Sequence, residues 1–164
     1  MSMLGCFLAV TPRQLGTVQS DPKALRALLD SEPEPSGDDG FDVDTAWNAI
    51  HFLLTGVRCG ERAEGCPPLF GDREIPGSEY GYGAVFSLTA AQVKAALAWM
   101  RAHPPESLRC GYDAAALARA KVYPDIWRAA DGVALDFVLE RYAALIAFYE
   151  RATSAGSALL FYLA

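Results

Sequence analysis

Four polar side chains recur along one short stretch of the sequence, DVDTAWNAIHFLLTG, residues 42–56. They are Asp44, Asn48, His51 and Thr55, separated by four, three and four residues. In a helix, residues at these intervals lie on one face about one turn apart. A carboxylate, an amide, an imidazole and a hydroxyl on one face can form a hydrogen-bonding surface, and a neutral imidazole can also act as a general base.

The same stretch predicts the helix that positions these groups, over residues 45–55. Asp44 is the predicted N-cap, and Gly56 is the predicted left-handed residue that ends the helix. The polar stripe runs between the rings of Trp47 and Phe52. Apolar side chains on the neighbouring side form the predicted core face: Val43, Trp47, Ile50 and Leu54.

Two interpretations of the polar stripe remain open at this stage. A buried stripe needs a partner for every donor and acceptor, and the irregular segment after Gly56 would supply them from its backbone. An open stripe would instead line a cleft, with His51 as a hydrogen-bonding group or base and Trp47 and Phe52 as flat surfaces for a ring.

Further candidate binding residues lie in two other segments. Tyr82 belongs to a Gly-Tyr-Gly run at 81–83, while Tyr123 and Trp127 belong to VYPDIW at 122–127. No nucleophile elbow, dinucleotide-binding glycine motif, phosphate-binding loop or His-Glu-x-x-His motif occurs in the sequence. The sequence therefore predicts candidate binding residues but no catalytic motif and no cofactor.

The four cysteines do not have the spacing of a metal site. No pair is separated by two residues, so we predict reduced thiols and no bound metal. Cys59 and Cys66 share a segment rich in Gly and Pro, where a metal or disulfide role is the less favoured alternative.

The net charge of −6 and the pI near 4.8 argue against nucleic-acid binding, which needs clustered Lys and Arg. The densest charge run, between Asp30 and Asp44, is acidic and predicts a solvated loop. No segment has the length and apolarity of a membrane span, and the first residues lack a basic leader. These features predict a cytoplasmic protein.

Apolar runs at 3–10, 80–88 and 158–164 predict three strands. Capping boxes at Thr11 and Thr89, each with Gln three residues later, predict helix starts, and Asp21-Pro22 predicts another. The longest helix is expected from near Asp131 to Gly156. Together they predict an α+β fold, a single domain over 1–164, with a small mixed or antiparallel sheet of about three strands covered by helices.

The residue blocks of this chain resemble the YfbM-like family of uncharacterised bacterial proteins. The resemblance covers nearly the whole chain. It runs in order through the block at 42–56, Pro68-Leu69, Gly71 and the blocks at 79–83, 122–127 and 156–163. It implies a cytoplasmic α+β domain with no established activity, substrate or cofactor. The positions that match the family pattern are Asp44, Trp47, His51, Phe52, Thr55, Gly56, Gly81, Tyr82, Gly83, Tyr123, Pro124 and Trp127.

These observations lead to two functional hypotheses. The first is a non-enzymatic binding or protein-interaction module that uses the His51 stripe, Tyr82, Tyr123 and Trp127, with a basic partner such as a toxin attracted by the acidic loop. The second is a small enzyme in which His51 is the general base, oriented by Asp44 or a loop acid, and the substrate is a small molecule with a ring. The sequence leaves the oligomeric state open.

Overall fold

A five-stranded antiparallel sheet organises the computed structural model, which describes residues 2–31, 39–61, 63–71, 73–127 and 132–164. The strands are β1 (Gly5–Val10), β2 (Gly40–Asp42), β3 (Arg73–Glu74), β4 (Phe86–Leu88) and β5 (Ala158–Leu163). Their order across the sheet is β2-β1-β5-β4-β3. The central pair, β1 and β5, is in register from Gly5 opposite Leu163 to Val10 opposite Ala158.

Seven α-helices occur in the described ranges. They are α1 (Pro12–Ser20), α2 (Pro22–Ser31), α3 (Trp47–Thr55), α4 (Ala90–Ala102), α5 (Pro105–Cys110), α6 (Ala114–Arg119) and α7 (Val133–Ala155). The capping boxes at Thr11 and Thr89 are both formed, which confirms the predicted starts of α1 and α4. Gly56 and Gly156 are left-handed and end α3 and α7, as predicted. None of these helices combines the length and apolarity that crossing a bilayer requires.

Both faces of the sheet are covered by helices. Because successive strand residues point to opposite faces, Phe7 and Phe161 pack into one core while Leu8 and Leu160 pack into the other. Helices α3 to α7 supply the first core, and α1 and α2 supply the second. Burial on both faces explains why β1 and β5 are apolar along almost their whole length.

Gly5, the first residue of β1, allows α3 to approach the sheet closely. A Cβ atom at this position would lie 2.8 Å from both Trp47 Cβ and Val43 Cγ1. Such a contact is too short for carbon atoms, so only glycine fits there.

The α+β class is confirmed, but the expected number of about three strands is wrong. The additional strands, β2 and β3, have only three and two residues, too few for a periodic pattern to predict. The strand expected over 80–88 is confined to β4, because residues 80–83 form a turn. Helix α5 was also not predicted. The expected helix start at Asp131 and the acidic residues Glu32, Glu34 and Asp38 lie outside the described residues.

Candidate functional site

A short 3₁₀ turn, Asp44–Ala46, leads into α3, so the α-helix itself begins at Trp47 rather than at Thr45. The prediction that Asp44 is the N-cap of this helix is wrong, because Ala46 occupies that position. Asp44 has a positive φ of 58°, and its Oδ1 accepts a hydrogen bond from the Thr45 N–H at 2.6 Å. Its Oδ2 lies 3.6 Å from Arg141 Nη2 of α7. The Asp44 carboxylate therefore links the start of the turn to α7.

Asn48 and His51 hold the segment that follows α3. Asn48 Oδ1 accepts a hydrogen bond from the Cys59 N–H at 2.9 Å. His51 Nδ1 lies 2.9 Å from the Val57 carbonyl oxygen, a contact in which the ring N–H donates. The Thr55 hydroxyl donates to the His51 carbonyl oxygen at 2.7 Å. Val57 and Cys59 are thus backbone partners from the irregular segment, as the first interpretation of the stripe predicted, whereas the Thr55 bond lies within α3.

The far end of the same segment is fixed by α7. The Tyr149 hydroxyl donates a hydrogen bond to the Leu69 carbonyl oxygen. Tyr149 is fully buried, and this burial raises the pKa of the phenol, so the hydroxyl stays a donor. Residues 57–71, which we call the site loop, are thus tied at both ends to buried side chains; Arg62 within it lies outside the described residues.

His51 is uncharged at neutral pH. Its burial lowers the pKa of the imidazole below the ordinary value of 6.5, against smaller opposing effects of the Val57 carbonyl and the Glu61 carboxylate. Because Nδ1 carries the proton that Val57 accepts, Nε2 is the unprotonated nitrogen. Among the described residues, this acceptor nitrogen has no hydrogen-bond partner.

A cavity of about 470 Å³ lies between α3, the site loop and β4. His51 is only 9% exposed, lines this cavity and packs edge-on against Phe70, with 5.8 Å between the ring centroids. Other side chains that line the cavity include Thr55, Cys59, Glu61, Glu64, Cys66 and Phe86. The polar stripe is therefore divided between the two roles considered from the sequence: Asn48 and His51 hold a loop, and His51 and Thr55 line a cleft.

The two thiols in the cavity are free. Burial raises the pKa of the Cys59 thiol to about 12, against a smaller opposing effect of the Gly60 backbone N–H. At neutral pH Cys59 is therefore protonated and a poor nucleophile. Within the described residues, no group of three or more His, Cys, Asp or Glu is arranged to hold a metal ion.

Trp47 and Tyr123 lie together but away from the cavity. Their rings stack with centroids 5.7 Å apart, the Trp47 indole N–H donates to the Met3 carbonyl oxygen at 3.0 Å, and the Tyr123 hydroxyl accepts from the Met3 N–H at 2.9 Å. This pair holds the chain just before β1. The structure therefore places both rings in a structural contact.

A family model described as a domain of unknown function, DUF1877, matches residues 1–162 of the chain. The chain belongs to the DUF1877 family. The predicted YfbM-like resemblance is confirmed, because the crystal structure of YfbM from Escherichia coli, a protein of unknown function, is similar with a TM-score of 0.77. The match covers 99% of this chain and 100% of that one at 17% identity, so it shows a shared fold only. No curated protein matches the chain.

The other predicted site residues of this DUF1877 protein do not line the cavity. Trp127 is 2% exposed, and its indole N–H donates to the Val122 carbonyl oxygen at 2.7 Å. Tyr82 is 46% exposed and stands on a turn whose backbone N–H donates to the Leu163 carbonyl oxygen. Of the eight predicted residues, His51 and Thr55 line the cavity and Asn48 supports its loop.

Sequence reasoning about this DUF1877 protein missed Phe70, Phe86, Glu61 and Glu64 as cavity residues. The available signal was the long irregular segment after Gly56, since loops of this length inside a domain often carry function. That signal indicates a region but not which side chains turn inward.

Proposed function

We propose that this DUF1877 protein is a non-enzymatic binding module whose ligand occupies the cavity beside His51. The observation that carries the proposal is a neutral, largely buried imidazole that lines the cavity and has one acceptor nitrogen that no described residue occupies. A volume of about 470 Å³ is also typical of cavities that hold small organic ligands.

The chemistry of the lining favours a ligand with a ring and an N–H or O–H group. His51 Nε2 can accept one hydrogen bond, while Phe70 and Phe86 offer apolar surface for stacking. Asn48 and Thr55 already use their polar groups to hold the backbone. Specificity would therefore depend on His51 together with the rings.

Catalysis by His51 is the second candidate function. A lowered pKa and a free Nε2 are the properties of a general base. However, no carboxylate of the described residues hydrogen-bonds to the His51 ring: Asp44 pairs with Arg141, the loop acid Glu61 pairs with Arg58, and Nδ1 is oriented by the Val57 carbonyl oxygen. The cavity also lacks an activated thiol at Cys59, so binding is the better-supported function.

The proposal can be tested by titrating small ring-containing N–H and O–H donors into ¹⁵N-labelled protein. We expect the amide shifts that move to cluster at His51, Phe70 and Phe86, and we expect His51→Phe to weaken binding by about ten-fold, the cost of one lost hydrogen bond. Tyr82→Ala is the matched control, because its side chain is exposed and does not line the cavity.

His51→Phe also loses the bond to Val57, so its melting temperature must be measured beside its affinity. Binding that is unchanged in a folded His51→Phe variant would contradict the proposal. Shift changes that cluster away from the cavity would contradict it as well. A product that appears only with intact His51 would instead establish the catalytic candidate.

A further inference from the structure

The charged groups around the cavity are unevenly distributed. Glu61 and Glu64 line it, and none of the described lining residues is a Lys or Arg. Arg58 does not line the cavity but pairs with Glu61, with its Nε and Nη2 at 3.0 and 2.7 Å from Oε1. Glu64 has no ion pair among the described residues. Within the described part of the chain, Glu64 is therefore the lining carboxylate that has no paired cation.

The imidazole of His51 favours the same kind of ligand as the lining carboxylate. His51 carries no positive charge at neutral pH, because burial lowers its pKa. Its unprotonated nitrogen, Nε2, presents a lone pair. An anionic ligand would meet that lone pair and the Glu64 carboxylate, both of which repel it. A ligand that donates an N–H bond and carries positive charge would be attracted by both.

We propose that the cavity accepts an organic cation, an alkylammonium or guanidinium group joined to a ring or an apolar chain. Its N–H donates to His51 Nε2, its charge lies near the Glu64 carboxylate, and its apolar part packs between Phe70 and Phe86. This inference rests on the proposed binding function. The cation has two sources with the same chemistry: a free amine, or a Lys or Arg side chain presented by a basic protein.

A set of probes with matched shape and different charge tests the sign of the ligand. Benzylamine, benzyl alcohol and benzoate share a ring and differ in charge, and each can be titrated by NMR at low salt. We expect benzylamine to bind about three- to five-fold more tightly than benzyl alcohol, from one partly exposed charge pair, and benzoate to bind most weakly. Added salt should reduce this preference.

The carboxylate is tested by Glu64→Gln. We expect it to weaken benzylamine binding by about three-fold, the effect of an exposed ion pair, and to leave benzyl alcohol binding unchanged. Glu140→Gln is the matched control, because Glu140 is an exposed carboxylate of α7 that does not line the cavity. An equal loss in both variants would overturn the assignment to Glu64.

The outcomes separate this inference from the function on which it rests. Benzyl alcohol or benzoate binding as tightly as benzylamine would overturn the cation and leave the binding function standing. If none of the three bound, the binding function itself would fail. Comparing an N-acetylated arginine amide with an arginine-rich peptide then distinguishes the sources: similar affinities indicate a free cation, and a much tighter peptide indicates a protein partner.

Discussion

The two ring nitrogens of His51 meet different requirements. Nδ1–H gives its hydrogen bond to Val57 and fixes the start of the site loop, whereas Nε2 has no partner among the described residues. A structural role and a ligand role are usually treated as alternatives for a buried histidine. Here the bond that anchors the loop also selects the tautomer that makes Nε2 an acceptor.

Burial of His51 makes the stability of the protein depend on pH. The folded-state pKa of His51 is lowered, so below pH 6.5 the unfolded chain binds the proton more readily than the folded chain. We expect the free energy of unfolding of the wild type to fall relative to His51→Gln as the pH is lowered. The difference should reach at most about 1.4 kcal/mol per pH unit, the value for one proton.

Urea unfolding between about pH 7.5 and pH 5 measures this difference. Glu64, Cys59 and Cys66, which lie near His51, are present in both proteins and cancel in the comparison. Glu61 interacts with the His51 charge, but its hydrogen bond from Arg58 lowers its pKa below 4.5, so it stays ionised over this pH range. His103→Gln is the matched control, because it removes the other histidine and leaves the contact with Val57 intact. Parallel loss of stability in wild type and His51→Gln would show that His51 does not resist protonation.

At the residue scale, the sequence predicted the positions of the polar stripe but not its partners. The helical period places Asn48, His51 and Thr55 on one face. The acceptor at Val57 and the donor at Cys59 are backbone groups of an irregular segment, whose path no periodicity describes. The aromatic walls were predicted from neighbours on the helix, whereas Phe70 and Phe86 come from distant parts of the chain.

Among the elements, the turn that carries Tyr82 depends most strictly on its glycine. Gly81 has a φ of 57°, and a Cβ there would lie 2.1 Å from the Leu163 carbonyl oxygen at the end of β5. We expect Gly81→Ala to cost at least about 2 kcal/mol, from the left-handed backbone and the steric clash. Thermal unfolding followed by circular dichroism measures the loss.

Gly83→Ala is the matched control for this turn. Gly83 does not have a positive φ, and no atom lies within 4 Å of an added Cβ. We expect the substitution to change the free energy of unfolding by less than about 1 kcal/mol. Equal effects at the two positions would mean that the Leu163 carbonyl does not constrain the turn.

The elements that the sequence predicted well are those with local signals. A hydroxyl followed by Gln three residues later determines the starts of α1 and α4, and a left-handed glycine determines the end of α3. The edge strands β2 and β3 were missed because they exist through pairing with β1 and β4 rather than through their own composition. Short elements defined by long-range pairing leave little trace in a sequence.

For the whole molecule, the central strands connect the two cores. Leu159 and Leu160 of β5 are both fully buried, on opposite faces of the sheet. We expect Leu159→Ala and Leu160→Ala each to cost about 2–5 kcal/mol, the usual range for a buried leucine. Because either loss weakens the shared strand, we expect all of the helices to unfold in one transition.

Tryptophan fluorescence and far-UV circular dichroism can test this coupling together. All three tryptophans pack in or against the core of α3 to α7, whereas α1 and α2 contribute only to the circular dichroism. Coincident midpoints are expected in both variants. A Leu160→Ala variant whose helical signal fell before its fluorescence changed would indicate that α1 and α2 unfold separately.

The close approach of α3 to Gly5 also affects the register of β1. A strand that is buried on both faces has no polar face. A shift of one residue in its register would therefore bury apolar side chains again, and hydrophobicity alone would not disfavour it. At Gly5, however, any slipped arrangement would bring a side chain against Trp47 and Val43, where no Cβ fits. The absence of a side chain at Gly5 thus fixes the register sterically. An insertion or deletion of one residue within β1 would cause a steric clash, even if every new neighbour were apolar.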